Sequence, residues 1–367
     1  MSAIVCYISG HGFGHAVRVA EVLRALHRLC PDVALHIRTR TPRWFIEPAI
    51  EAPATHTAVE LDVGAVQRDS LTVDPEATLK AYAMIVAQKK QRIAAEVTAL
   101  ASLRPSLIFA DIPALAFDVA ARLGVPGVGM TNFSWDWIYA DYVRDLPAYA
   151  PVVEDLRASY GFAQVLLRLP FHGALDAFRC IRDIPLVARH ARLPRAATRR
   201  RLALPAADRI VVLSFGGIGV NLVTVPSPPP GVTFVATQSA TDGIAAQPGC
   251  RFISNRDMAR REVRYEDLVA AADVVITKPG YGIVADCIAN GTPMLYTSRG
   301  RFAEYACLVD GIEAHLPHAF ISNEDLYAGC WTAALDAVLS QPRQTPNLST
   351  NGAQVAADAL ADLLRDC

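Results

Sequence analysis

Two histidines four residues apart in a glycine-rich stretch, Ser9-Gly10-His11-Gly12-Phe13-Gly14-His15-Ala16-Val17-Arg18, are the side chains of this sequence best suited to move a proton near neutral pH. They lie between an apolar run, Ile4 to Ile8, and an amphipathic one, Val19 to Leu29, so a strand feeds a loop and the loop opens a helix. Gly10, Gly12 and Gly14 let the backbone turn tightly and approach a ligand, while the N–H groups at the helix start favour negative charge. The plainer alternative is a tight turn carrying two surface histidines. The pattern G-x-G-x-G-x-x-x-R misses the dinucleotide fingerprint, and no Lys-Ser/Thr pair follows it, so neither NAD binding nor P-loop ATP hydrolysis is supported.

Two further glycine loops follow apolar runs in the second half: Ser214-Phe215-Gly216-Gly217-Ile218-Gly219 and Thr277-Lys278-Pro279-Gly280-Tyr281-Gly282. In a parallel sheet both fall at the carboxyl edge, where ligands bind. Backbone N–H groups at Gly216, Gly217 and Gly280, Tyr281 and Gly282 can hold a diphosphate without a metal, with Lys278 as a point charge. Asp286, one to two turns into the next helix, is placed for ribose hydroxyls. Each feature taken singly is also readable as a glycine turn beside a solvated carboxylate.

The elements that must carry these loops alternate strand and helix. Apolar runs at Ile4 to Ile8, Val33 to Ile37, Leu107 to Ala110 and Val125 to Met130 form one series, and Ile210 to Phe215, Val232 to Ala236, Val274 to Thr277 and Pro293 to Thr297 a second. This is the rhythm of parallel sheets covered on both faces. Asp74-Pro75-Glu76 reads as an N-cap, a first-position proline and an acidic first turn opening a long helix toward Leu103. Residues 226 to 230 and 341 to 349 read as loops and 351 to 366 as a final helix. We expect a first domain over 1–190, a second over 205–345 and a terminal helix over 346–367. The arginines between them, Arg189, Arg192, Arg195, Arg199, Arg200 and Arg201, read as a solvated linker or helix face, the alternatives being contacts to an anionic acceptor or membrane headgroups.

At 367 residues and 52% hydrophobic composition the chain has ample core for two domains. A net charge of -1 gives no support for nucleic acid as an obligatory partner and suits small-molecule substrates. Eight cysteines without a C-x-x-C pair argue against structural zinc and a disulfide framework. With no cleavable leader and no apolar run long enough to span a bilayer, the expectation is a cytoplasmic protein without membrane insertion, peripheral association and oligomeric state being left open.

The chain resembles GT-B glycosyltransferases, and most closely the glycosyltransferase-like amino-terminal region of plant L-arabinokinases and related bacterial proteins. The resemblance runs through Gly10 to His15, Gly64-Ala65-Val66-Gln67, Leu71-Thr72-Val73-Asp74, Asn132-Phe133-Ser134-Trp135-Asp136, Ile184-Pro185-Leu186-Val187, Phe215-Gly216-Gly217, Gly280-Tyr281-Gly282 and Phe302-Ala303-Glu304. The second half also looks like that of peptidoglycan N-acetylglucosaminyltransferases. The resemblance implies an α/β fold of two Rossmann-like parallel-sheet domains facing across a cleft. Arabinose phosphorylation is not carried over, because no kinase portion is expected in this sequence.

The resemblance also implies roles. The carboxyl-terminal domain takes a nucleotide sugar, UDP-linked by preference, as co-substrate rather than cofactor; the amino-terminal domain holds an unidentified acceptor. Asp286 stands where that group usually has a ribose-binding glutamate, and Glu304 where it has the residue that reads donor-sugar hydroxyls. Arg301 is placed to neutralise phosphate or pair with Glu304. His15 is the expected base that deprotonates the acceptor, with His11 as runner-up, and Asp111 either orients His15 or is itself the base. Gly12, Gly14, Gln67, Asp69, Asn132 and Trp135 complete the acceptor side. Trp135 and Trp137 would point different ways on a helix, leaving one for core packing. The expected reaction is inverting, metal-independent sugar transfer; a non-hydrolysing nucleotide-sugar epimerase and a non-catalytic nucleotide-sugar sensor are the alternatives.

Overall fold

Strands that read as continuous apolar runs need cover on both faces, and that is how they are placed in the computed structural model, which describes residues 2–67, 71–216, 225–237 and 248–365. Every residue of Ala3–Ile8 is buried, as is every residue of Val274–Thr277. Each fully buried Ile, Val or Leu contributes roughly 1.5–3 kcal/mol relative to exposure. Two compact units result, one from the described residues of 1–66, 74–187 and 349–367, the other from those of 67–73 and 188–348.

In the first unit, β1 (Ala3–Ile8), β2 (Ala34–Arg38), β3 (Ala54–Thr57), β4 (Leu107–Asp111), β5 (Gly127–Thr131), β6 (Val165–Arg168) and β7 (Ile181–Asp183) form a parallel sheet in the order β3-β2-β1-β4-β5-β6-β7. The second unit repeats the scheme with β8 (Arg209–Ser214), β9 (Val232–Ala236), β10 (Cys250–Phe252), β11 (Val274–Thr277), β12 (Met294–Tyr296) and β13 (His318–Phe320), ordered β10-β9-β8-β11-β12-β13. The winding direction reverses between β1 and β4 in one sheet and between β8 and β11 in the other. A crevice therefore opens beyond the carboxyl ends of those two pairs. The histidine loop leaves β1, Asp111 ends β4, and the two later glycine loops leave β8 and β11.

The two-domain parallel architecture agrees with the sequence expectation, and two local readings need correction. The helix opened by Asp74 is two helices, Pro75–Ala87 and Lys89–Leu100, meeting at Gln88. Its start is as read: Asp74 Oδ1 accepts from Ala77 N at 3.0 Å. The arginine run is not a solvated linker, since Arg195–Arg201 is a helix whose Arg195 and Arg199 pair with Asp273. The final helix, Gly352–Arg365, packs on Gly14–Leu29 within the first unit. No helix among the described residues is long and apolar enough to cross a membrane. The described cysteines are all free thiols.

Candidate functional site

The glycine loop after β1 ends in the helix Gly14–Leu29, which puts His15 and Arg18 one turn apart on the same face. That face meets the end of β4, where Ile8 lies opposite Asp111 and Ser9 N donates to Asp111 O at 2.8 Å. His15 Nδ1 is 2.9 Å from Asp111 Oδ1; Arg18 donates to the same carboxylate twice, Nε to Oδ2 at 2.5 Å and Nη2 to Oδ1 at 2.6 Å. Arg18 reaches further, Nη1 to Asn132 Oδ1 at 2.8 Å and Nη2 to Thr131 Oγ1 at 3.2 Å, tying the ends of β4 and β5 together. All five side chains are buried.

Burial alone would raise the Asp111 carboxyl, but the Arg18 guanidinium and the His15 ring outweigh it and hold the group below the usual carboxylate range. An ionised carboxylate only accepts hydrogen bonds, so His15 is assigned the tautomer with its proton on Nδ1. Nε2 then keeps its lone pair, which is the atom a base uses. Arg18 Nη2 lies 3.1 Å from Nδ1; with both nitrogens protonated, it is their shared acceptor, the Asp111 carboxylate, that holds guanidinium and ring side by side.

His11 is half-buried beside this array. Its Nδ1 accepts from Ala65 N at 3.3 Å, and its ring meets Trp135 edge-on at 5.5 Å. Gly64 makes room for it: at φ +63° the backbone suits glycine, and a Cβ there would stand 2.4 Å from His11 Cβ. Tyr139 OH donates to Gly64 O at 2.5 Å and fixes the segment. Trp135, expected to face a sugar, is wholly buried, stacks on Tyr139 and donates from Nε1 to Asp62 Oδ2 at 3.0 Å. Burial pushes the Asp62 carboxyl up, against the pull of hydrogen bonds from Ser9 and Trp135 and of the nearby His15 ring. Trp137 packs against Gly173, where a Cβ would come within 2.4 Å of its ring. Gly12, at φ +71°, and Gly14 are exposed in the loop.

At the carboxyl edge of the second sheet, Gly216 (φ +77°) follows β8, and a Cβ on it would lie 3.8 Å from Lys278 Cε, so the first loop and the lysine of the second are neighbours. Gly280 caps the helix Tyr281–Asn290, whose first N–H groups, with Tyr281 and Gly282 in that turn, point toward the same edge. Thr277 Oγ1 donates to Ser214 O and, at 2.9 Å, to Lys278 O, joining the two strand ends. Glu304 is buried at the start of the helix Glu304–His315 and accepts from Arg299 Nη1 at 2.8 Å, while the Arg299 guanidinium sits 4.0 Å over the Phe302 ring. Arg301 is exposed.

Asp286 is buried and accepts from Arg189, N to Oδ1 at 3.0 Å and Nε to Oδ2 at 3.1 Å. Asn290, one turn on, accepts from Ala191 N at 2.9 Å and donates to Arg189 O at 3.0 Å. Asp286 and Asn290 thus clamp residues 189 to 191. Burial opposes the Arg189 charge, but Asp286 and Glu266 more than restore it and raise its pKa. Gln67 is half-buried and bridges Val73. Asp69 and Gly217 lie outside the described residues.

Sequence reasoning missed Arg18, Asp62 and Arg299, and named Arg189 without its pairing to Asp286. Arg18 had a signal, its i+3 spacing from His15 on a helix. Asp62, in a loop far from His15 in sequence, had none.

No protein-family model matches the chain. Arabidopsis thaliana L-arabinokinase is 33% identical over 362 residues, which is 97% of this chain and 34% of the plant protein, so the chain spans about a third of that relative's length. Among solved structures, the calicheamicin glycosyltransferase CalG4 superposes with a TM-score of 0.64 at 16% identity, over 99% of this chain and 98% of that one. Glycosyltransferase VinC in complex with dTDP follows at 0.59 and 15%, over 99% and 98%. UGT2 of Phytolacca americana, complexed with UDP-2-fluoro-glucose and pterostilbene, gives 0.54 and 11%, over 100% and 94%. The chain therefore has the GT-B glycosyltransferase fold and is similar in sequence to about a third of a plant L-arabinokinase.

Proposed function

We propose that the chain is a glycosyltransferase in which the second unit binds a nucleotide sugar and His15 of the first unit takes the proton of an acceptor hydroxyl. The observation that carries this reading is the buried His15–Asp111 pair at the carboxyl edge of the first sheet, 2.9 Å apart. As the acceptor oxygen bonds the anomeric carbon, its proton passes to His15 Nε2, and the anomeric C–O bond breaks with its electron pair leaving on the nucleoside diphosphate. Asp111 holds the ring and steadies the imidazolium, and Arg18 holds Asp111. Attack from the face opposite the leaving group makes the transfer inverting.

Charge on the departing diphosphate is met in this reading by Lys278 and the N–H groups of the two glycine loops, with no metal needed. The Arg299–Glu304 pair fixes a carboxylate to read donor-sugar hydroxyls. Asp286 acts through Arg189, by holding the 189–191 segment. UDP and dTDP in the names of neighbouring complexes favour a pyrimidine nucleotide.

The test is to incubate the protein with UDP- and dTDP-sugars and a panel of hydroxylated acceptors in EDTA, and to read acceptor mass by mass spectrometry. A sugar-sized mass gain that disappears in His15→Asn supports the reading. A changed donor sugar without acceptor would establish an epimerase instead, and donor binding with no turnover on any acceptor would leave a nucleotide-sugar-binding protein.

A further inference from the structure

At the amino edge of the second sheet, opposite its glycine loops, three guanidinium groups bond one carboxylate and a fourth stands nearby. Asp273, just before β11, is buried and accepts from Ile210 N at 2.7 Å, from Arg199 Nη2 at 2.6 Å, from Arg209 Nη1 at 3.3 Å and from Arg195 Nη2. Arg343 arrives from the loop after the helix Thr332–Leu339 and donates to Ala272 O at 2.7 Å, Asn290 O at 2.9 Å and Thr292 Oγ1 at 3.1 Å. Its guanidinium has no carboxylate of its own among these bonds, and burial together with the charges of Arg195 and Arg199 depresses its pKa despite Asp273 nearby. Asp208, the nearest further carboxylate in sequence, accepts from Thr233 Oγ1 at 2.6 Å. Four positive charges against Asp273 and Asp208 leave a local surplus of two.

That surplus borders a cavity of about 370 Å³ lined by Arg195, Arg209, Asp273, Ser340, Gln341 and Arg343. Each guanidinium carries five N–H donors, and Arg209 uses one of them on Asp273 while its side chain is 62% exposed. A network built only to hold the helix Arg195–Arg201 to the sheet needs Arg195 and Arg199; it does not need Arg209 and Arg343 around an open space.

We propose that this cavity is a second anion site, taking the phosphate group of a small phosphate monoester, and that Arg195, Arg209 and Arg343 bind its oxygens as Asp273 spaces them. The planar forks of arginine match a phosphate dianion, and the cavity volume, within the range of ordinary small-ligand sites, leaves room for a body about the size of a hexose. The inference does not rest on the proposed transfer reaction, because the site lies at the opposite end of the sheet from the loops that reaction uses.

The test titrates inorganic phosphate, then glucose 6-phosphate, into the protein by isothermal calorimetry, in wild type, Arg209→Gln and Lys278→Ala. Arg209 is largely exposed, so its replacement leaves folding intact, which a matching thermal unfolding curve checks. Saturable binding, tighter for the sugar phosphate, that weakens at least about tenfold in Arg209→Gln and persists in Lys278→Ala supports the site. Binding lost in Lys278→Ala and kept in Arg209→Gln would place phosphate at the donor loops and overturn the proposal. The absence of saturable binding in wild type would overturn it as well, whatever the outcome for sugar transfer.

Discussion

The carboxyl edges of the two sheets share a topology and differ in what fills them. In the first, the crevice between β1 and β4 is closed by polar side chains that bond one another: His15, Arg18, Asp111 and Asn132. In the second, the crevice between β8 and β11 is bordered by glycine backbone and a lysine, with the Arg299–Glu304 pair as its neighbour. A buried network whose members already bond one another holds the His15 ring in one tautomer and position, as the proposed proton transfer requires. A glycine edge at a helix N-terminus fits a diphosphate. In the proposed reading the same strand order serves catalysis in one unit and binding in the other.

The sharpest way to break this division is His15→Asn, which should lower kcat by about 10²–10⁴-fold, the usual share of a general base, while donor affinity stays unchanged. Loss of donor affinity in parallel would mean that His15 belongs to the binding side. Asp111→Asn should cost about 3–5 kcal/mol of unfolding free energy in denaturant titrations, because Arg18 is left buried beside a neutral partner. A cost below about 1 kcal/mol would show that the array is not the rigid frame described above. Gly64→Ala should cost about 1–3 kcal/mol and weaken turnover, since the new methyl group must displace His11 and the positive φ disfavours any other residue.

The smallest effect distinguishes two carboxyl groups within the first unit. Asp111 is held below the usual carboxylate value of about 3.9, so its contribution to stability is present above that pH and is lost as pH falls through its folded value. Asp62 is held above the usual value, so its contribution is present at low pH and fades as pH rises through its folded value. Asp111→Asn should therefore flatten the acid limb of the stability curve, by an amount on the order of 1 kcal/mol, and Asp62→Asn should flatten the opposite slope.

The central strands of both sheets, β1, β2, β4, β5, β8, β9, β11 and β12, were legible because buried parallel strands are written as continuous apolar runs, whereas the short strands β3, β6, β7, β10 and β13 gave no such run. His15 and Asp111 were readable as partners because one lies in the loop–helix turn after a central strand and the other at the end of its neighbour. What stayed hidden was pairing across long sequence separations. The Arg189–Asp286 and Arg195–Asp273 ion pairs turn an apparent linker into part of the second unit, and no spacing rule connects residues some eighty to one hundred positions apart. Trp135 was misleading for a related reason: an aromatic beside polar residues suits a sugar surface, yet here its indole N–H is used on buried Asp62.

The most direct measurement of the division of labour is calorimetric titration of UDP-glucose and dTDP-glucose into wild type, His15→Asn and Lys278→Ala, each checked for unchanged unfolding. The account predicts binding of wild-type strength in His15→Asn and binding weakened about tenfold or more in Lys278→Ala. Binding that is lost with His15 and indifferent to Lys278 would contradict it.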